Sequence, residues 1–343
     1  MTALSVDEAG PATSVQDAGR FGALRYGLSS AGAMDRFALA AANVLVGRAA
    51  DAAAIEIGPF AARFTARGGA VRLALYGAER AATVDGRAVA LAQSLLLQED
   101  ETLVLRAARG GTFTYLAVEG GIAGKPVFDS MSVHARAGLG SPIARPLAAG
   151  DRLEVVPGER TTGERRLAIV PFDAGPIRVV LGPQDDYFDP AAIATFFAAE
   201  WRVAPASDRM GYRLDGPPIA ATRGHNIISD GIANGQIQIP GAGSPLVLLA
   251  DRGTTGGYPK IAGIVTADLG RFAQTPPGRP LRFAAVDVDQ ARQLAIAWRT
   301  ALDGLAARVV PVTGPLPTSE ALLAANLAGG AVNALDTDTW SHS

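Results

Sequence analysis

Between Ala70 and Val156 the sequence reads Val71-Arg72-Leu73-Ala74-Leu75-Tyr76, Thr102-Leu103-Val104-Leu105-Arg106, Gly111-Thr112-Phe113-Thr114-Tyr115-Leu116-Ala117-Val118 and Arg152-Leu153-Glu154-Val155-Val156. Each run is short, β-prone and bounded by Gly, Asp or Glu. Successive short strands with few helices between them predict a β-barrel or sandwich and argue against alternating strand and helix.

Outward from this block, Ala33 to Val46 predicts a helix, because Met34, Phe37, Ala41, Val44 and Leu45 share one face and Gly47 follows as a stop. Gly158-Glu159-Arg160-Thr161-Thr162-Gly163-Glu164-Arg165-Arg166 breaks the pattern and is the candidate linker. Strands then resume at Leu167 to Val170, Ile177 to Leu181, Gln236 to Ile239, Pro245 to Ala250, Ile261 to Thr266 and Pro280 to Phe283. Among them lies a helix from Pro190 to Trp201, with Asp189 as N-cap and Pro190 at the first helical position. A further helix after Asp287 carries Ala291, Leu294, Ala295, Trp298 and Leu302 on one face, and Ser319 to Leu327 is a last helical candidate. The expected organisation is mainly β: one β domain over 1–158, a second over 167–290, each with a helix, and a helical tail over 291–343.

Composition narrows the function. The chain has 343 residues, 48% of them hydrophobic, and no apolar run nears the roughly 18 residues of a membrane span. Its first residues carry Asp7 and Glu8 and lack the basic head and apolar core of a signal peptide, so a cytoplasmic protein is expected. The lack of cysteine excludes a thiolate centre, and the scattered His134, His225 and His342 leave little for a histidine-based one, so any metal would need carboxylates. A net charge of -2 with interspersed signs gives no basic stripe for nucleic acid.

All but two of the 31 basic residues are arginine, and the exceptions are Lys125 and Lys260. Lys260 ends the stretch Asp251-Arg252-Gly253-Thr254-Thr255-Gly256-Gly257-Tyr258-Pro259-Lys260, which joins two predicted strands. Gly256 and Gly257 permit successive N-H groups to face one side, Thr254 and Thr255 add hydroxyls, and Lys260 would complete a site for a carboxylate or phosphoryl group. Asp251 or Asp268 would position Lys260 or accept a proton, Asp268 only if the chain turns back. The bland alternative is a solvated loop with a turn-capping carboxylate.

A second cluster, Ser207-Asp208-Arg209-Met210-Gly211-Tyr212-Arg213, is either a binding element or a turn stabilised by Asp208. Asp185 and Asp186 are a possible oxygen site for a cation or simply part of a turn before the helix. Asp35 favours the positive end of the first helix. Gly124-Lys125 lacks the earlier glycine of a P-loop, and no Gly-x-Ser-x-Gly elbow is present.

At Ser14-Val15-Gln16-Asp17-Ala18-Gly19-Arg20, Gly32-Ala33-Met34-Asp35, Gly182-Pro183-Gln184-Asp185, Ser207 to Leu214, Gln236-Ile237-Gln238-Ile239-Pro240 and Asp251 to Lys260, the chain resembles the carboxyltransferase-subdomain family. That group includes allophanate hydrolase subunit 2, the C subunit of bacterial 5-oxoprolinase and one segment of urea amidolyase. The resemblance spans about Gly10 to Val286 and implies two cyclophilin-like β-barrel domains. On these motifs the candidate substrate contacts are Arg252, Thr254, Thr255, Gly256, Gly257, Tyr258, Ser207, Asp208, Arg209, Tyr212 and Gln238, and the candidate catalytic residues are Lys260, Asp251 and Asp268. The resemblance also implies a second cyclophilin-like subunit, in the 5-oxoprolinase group a third subunit, and ATP used with those partners on a small cyclic amide.

Two positions depart from the family pattern. Gly253 stands where Gln is usual, and Asp129-Ser130-Met131-Ser132-Val133-His134 replaces a Ser-Arg-Ser-Thr pattern. Three functions follow from the resemblance: a 5-oxoprolinase-type hydrolase subunit, a carboxyltransferase component of a biotin-dependent urea carboxylase, or a regulatory binding subunit. Biotin is not expected to be attached here, because neither lysine has an Ala-Met-Lys-Met-like setting.

Overall fold

The computed structural model describes residues 1–158, 163–168 and 175–312. Met1–Val310 forms one compact unit, and Pro311–Ser343 is a separate one. The candidate helix Ser319 to Leu327 lies outside the described residues.

The first half is built on antiparallel strands, as the opening runs predict. One sheet orders Arg152–Glu154, Ala3–Ala9, Ala62–Arg67, Thr102–Leu105, Ala82–Val84 and Arg87–Val89. A second runs through Ser14–Gln16, Ala54–Ile57, Arg109–Val118, Val71–Glu79, Gln93–Leu97 and Arg165–Arg166. Val71–Glu79 and Arg109–Val118 are central and mostly buried on both faces, which accounts for their near-continuous apolar character. Leu4, Ile55, Phe64, Leu73, Leu103 and Leu116 close the core between these sheets.

Helix α1, Arg36–Leu45, starts at Asp35, whose side chain accepts from the backbone N-H groups of Phe37 and Ala38. Every residue from Ala38 to Leu45 is buried, so the helix is a core element and not a surface one. It belongs to a buried cluster that also holds Tyr115 and Phe113 of the first half and Val179, Trp201, Ile237, Ile261 and Phe272 of the second. One core therefore joins first-half and second-half residues.

The second half folds around an eight-stranded sheet ordered Pro280–Leu281, Trp201–Val203, Gly211–Asp215, Leu246–Leu248, Gln236–Gln238, Lys260–Ile264, Ile177–Leu181 and Phe283–Ala285. Its two outermost strands are separated in sequence by Arg282 alone. The sheet must curl until its edges nearly meet, giving a barrel-like enclosure. The mainly β expectation is met.

Four local readings differ, the first being the strand expected over Pro280 to Phe283, which Arg282 divides between the two edges of the sheet. Helix α2 runs Pro190–Ala198 and not to Trp201; Ala199 is extended, and the Trp201 indole N-H donates to the Phe196 carbonyl at 3.0 Å while its backbone enters a strand. The strand expected over Leu167 to Val170 lies partly outside the described residues; just before it Arg165–Arg166 forms a strand, and the buried Leu167 donates its N-H to the Ala92 carbonyl at 2.8 Å, so the end of the predicted linker adheres to the first-half sheet. A short helix α3, Leu269–Ala273, was hidden in the run after Thr266. Helix α4, Val288–Asp303, carries a capping box of Asp287 and Gln290, and its half-buried face includes the five expected residues.

Candidate functional site

The strand Lys260–Ile264 pairs with both Gln236–Gln238 and Ile177–Leu181, so the lysine stands at the start of a strand held on two sides. Its side chain is wholly buried, and its ammonium meets the carboxylate of Asp230 at 3.2 Å. Asp230 is more than half exposed. The hydrogen bond from Lys260, helped by the Gly231 N-H, holds its carboxyl below the usual range. Gln184 sits beside the pair and accepts from the Lys260 backbone N-H at 3.2 Å.

The loop from Asp251 is clasped by a two-stranded ribbon in which Thr255–Gly256 pairs with Asp230–Gly231. Ile232 donates to the Thr254 carbonyl at 3.1 Å and Ile227 to the Gly257 carbonyl at 2.9 Å. This ribbon brings Asp230 to Lys260 across thirty residues of sequence. The diglycine serves a different purpose from the expected concavity: neither Gly256 nor Gly257 has positive φ. A Cβ on Gly256 would collide with the Gln238 side-chain amide and lie 3.0 Å from Ile232, so glycine is needed for close approach.

Gln238 and Lys260 are register partners on adjacent strands. The Gln238 amide nitrogen is buried and has no hydrogen-bond partner among the described residues. An ammonium with one carboxylate partner and a neighbouring unspent amide donor make a site suited to an oxygen that gains negative charge. Tyr258, 39% exposed, and Thr255 on the ribbon both lie open to solvent. Arg252 is buried, donates to Ile232 at 3.1 Å, and burial lowers its pKa.

Asp251 lies at the other end of the loop and does not reach Lys260. Arg209 grips its two carboxylate oxygens through Nε and Nη2, both at 2.9 Å. Arg209 also reaches Glu56 and donates to the Gly32 carbonyl at 2.7 Å. Burial alone would lower the Arg209 pKa, but Asp251 and Glu56 outweigh it and raise the group well above its ordinary value. Glu56 in turn accepts from Met34 N at 2.8 Å and the Tyr115 hydroxyl at 2.7 Å. Desolvation raises the pKa of Glu56 despite these partners. The predicted cluster around Arg209 is thus an electrostatic tie between the two halves.

Its neighbours take structural places. Asp208 accepts from Met210 N at 2.8 Å, Ser207 from Arg213 N at 3.2 Å, and the buried Tyr212 hydroxyl donates to the Ala273 carbonyl at 2.9 Å. Asp268 is also apart from Lys260: it accepts from Arg178 Nη2 at 2.5 Å and Arg271 Nη2 at 2.7 Å. Burial opposes ionisation there, but the two arginines overcome it and lower the pKa. Asp186 pairs with Arg223, and Asp185 begins the turn into α2.

Sequence reasoning missed Asp230, Glu56 and Tyr115 as partners of the singled-out residues. Asp230-Gly231 carries no more than a generic turn signal in the sequence, and Gln184 was legible only as part of a quoted motif.

Residues 26–285 match the model of the carboxyltransferase domain, subdomain A and B. The chain is 38% identical over 290 residues to the C subunit of 5-oxoprolinase from Escherichia coli, covering 84% of this chain and 93% of that protein. The crystal structure of TTHA0988 superimposes with a TM-score of 0.76 at 33% identity; the match covers 83% of this chain and spans 55% of that one. The K. lactis urea amidolyase structure gives a TM-score of 0.82 at 24% identity over 92% of this chain and 22% of its own, a likeness of fold. The chain belongs to the carboxyltransferase domain, subdomain A and B, family.

Proposed function

We propose that this chain is one subunit of an ATP-dependent, 5-oxoprolinase-type amidohydrolase that opens a small cyclic amide, 5-oxoproline, to glutamate. The observation that carries this reading is the 38% identity to the C subunit of 5-oxoprolinase across nearly the whole length of that relative. ATP is used together with partner subunits, a second cyclophilin-like chain and a third. In this chain Lys260 and the Gln238 amide stabilise charge that develops on the amide oxygen or on a phosphorylated intermediate, and Asp230 and Gln184 position Lys260. Asp251 and Asp268 support the frame through their arginines.

Reconstitution with both partner subunits should release glutamate and ADP from 5-oxoproline and ATP. A complete, correctly assembled complex with no turnover would sink the reading. The description of the matched family model, a carboxyltransferase domain, favours a second reading, transfer of a carboxyl group from biotin carried on another protein to a small amide. Carboxylation of urea by a complex holding this chain, without 5-oxoproline turnover, would select it.

A further inference from the structure

Away from Lys260, a cleft of about 1010 Å3 opens between the start of α1, the end of the strand Val71–Glu79, the start of Arg109–Val118, α3 and α4. It shares none of its lining with the Lys260, Asp230, Gln184 and Gln238 group. Its size is at the upper end of the range for small-molecule pockets. Phe37, Val89, Leu91 and Trp298 contribute apolar wall.

The charge of the lining is lopsided. Arg80, Arg109, Arg178, Arg271, Arg279 and Arg308 face three carboxylates, Asp35, Glu79 and Asp268. Two of the arginines already share Asp268. Arg80 is buried, and its five hydrogen bonds go to the Thr114 hydroxyl and to carbonyls of Phe60, Arg106, Ile57 and Gly58, all neutral acceptors. Burial with no carboxylate beside it lowers its pKa to about 10, so at neutral pH it remains a buried, uncompensated cation. Such a charge is costly, and an anion entering the cleft would offset part of that cost.

Two exposed arginines stand next to each other at this cleft. Arg279 donates to the Gly110 carbonyl at 2.7 Å, beside Arg109. Neither forms an ion pair among the described residues and both are exposed, which leaves N-H groups free for a ligand, while Glu79 stands opposite Arg109 on the paired strand. Arginine presents several donors in a planar fork that suits carboxylate and phosphate oxygens.

We propose that this cleft binds an organic anion, with a phosphate or carboxylate head on Arg109 and Arg279 and an apolar body against Phe37, Leu91 and Trp298. The site goes beyond the 5-oxoprolinase reading and does not depend on it, because the test measures binding to this chain alone. The probe is 1-anilinonaphthalene-8-sulfonate, an anionic head on an aromatic body, titrated into the full chain. Saturable binding at one site is expected, weakened about tenfold by Arg109→Ala and by Arg279→Ala, as for the loss of one charge-assisted contact. Asp230→Asn should leave it unchanged. ATP and octanoate are then compared as displacers: displacement by ATP identifies a phosphate head and by octanoate a carboxylate head. Non-saturable binding, equal affinity in both arginine variants with unchanged folding, or displacement by neither compound overturns the proposal.

Discussion

Arg209 holds Asp251 by two parallel hydrogen bonds of 2.9 Å each, and the same guanidinium reaches Glu56 in the other half of the chain. Two buried carboxylates thus depend on one cation. Arg209→Ala should destabilise the protein by about 3–5 kcal/mol, because it leaves both acids without their charge partner. Arg209→Lys should recover only part of this, since a lysine cannot make the paired contact. Urea unfolding of the three proteins checks it; an Arg209→Ala loss below about 1 kcal/mol would contradict the structural role.

Lys260 and Asp230 separate chemistry from positioning. In the reconstituted complex Lys260→Ala should lower kcat by on the order of 100-fold or more, the scale of removing a donor to a developing oxyanion. Asp230→Asn should cost about tenfold, because the lysine stays in place with a weaker partner. Full activity of Lys260→Ala in a folded complex would remove this lysine from the mechanism.

The two arginines on Asp268 give a pH signature. The native pKa of Asp268 is depressed, so its stabilisation is complete above the ordinary unfolded value of about 3.9 and fades as pH falls through the native value. Asp268→Asn should therefore be less stable than the parent at neutral pH, by about 3 kcal/mol, with the gap closing below about pH 4. Thermal melts across acid pH read this directly; a gap that widened on acidification would have the wrong sign.

Two glycines near Lys260 should respond differently to alanine. At Gly182 a Cβ would run into the backbone carbonyl of Lys260, which cannot move without disturbing the ladder; the expected loss is about 3 kcal/mol. At Gly256 the obstacle is the far end of the Gln238 side chain, so the expected loss is about 1 kcal/mol. Displacing that amide should nevertheless reduce turnover. Comparable stability losses at both sites would show that the Gln238 amide is more rigidly held than its missing hydrogen bonds imply.

Local pattern made much of this architecture legible. The apolar spacing of Ala291, Leu294, Ala295, Trp298 and Leu302 predicted the inward face of α4, and Asp189 capped α2 as its chemistry suggests. Asp35, read as a charge favouring a helix terminus, proved to be the N-cap itself. Long-range electrostatics were not legible. The pairing of Glu56 with Arg209 and of Asp230 with Lys260 depends on how distant segments meet, and no local period encodes that. Of the two arginines on Asp268, Arg271 is a local neighbour three residues on, but Arg178 comes from a strand ninety residues earlier, which no local pattern discloses.

The burial of α1 on every side also bears on synthesis. The helix ends at Leu45, whereas the first second-half helix that packs on it, α3, begins at Leu269. At about 5–20 residues per second, the ribosome leaves that helix waiting on the order of tens of seconds for its packing surface. Until then an apolar, alanine-rich cylinder has only half a core, and the nascent chain is most open to aggregation in that interval.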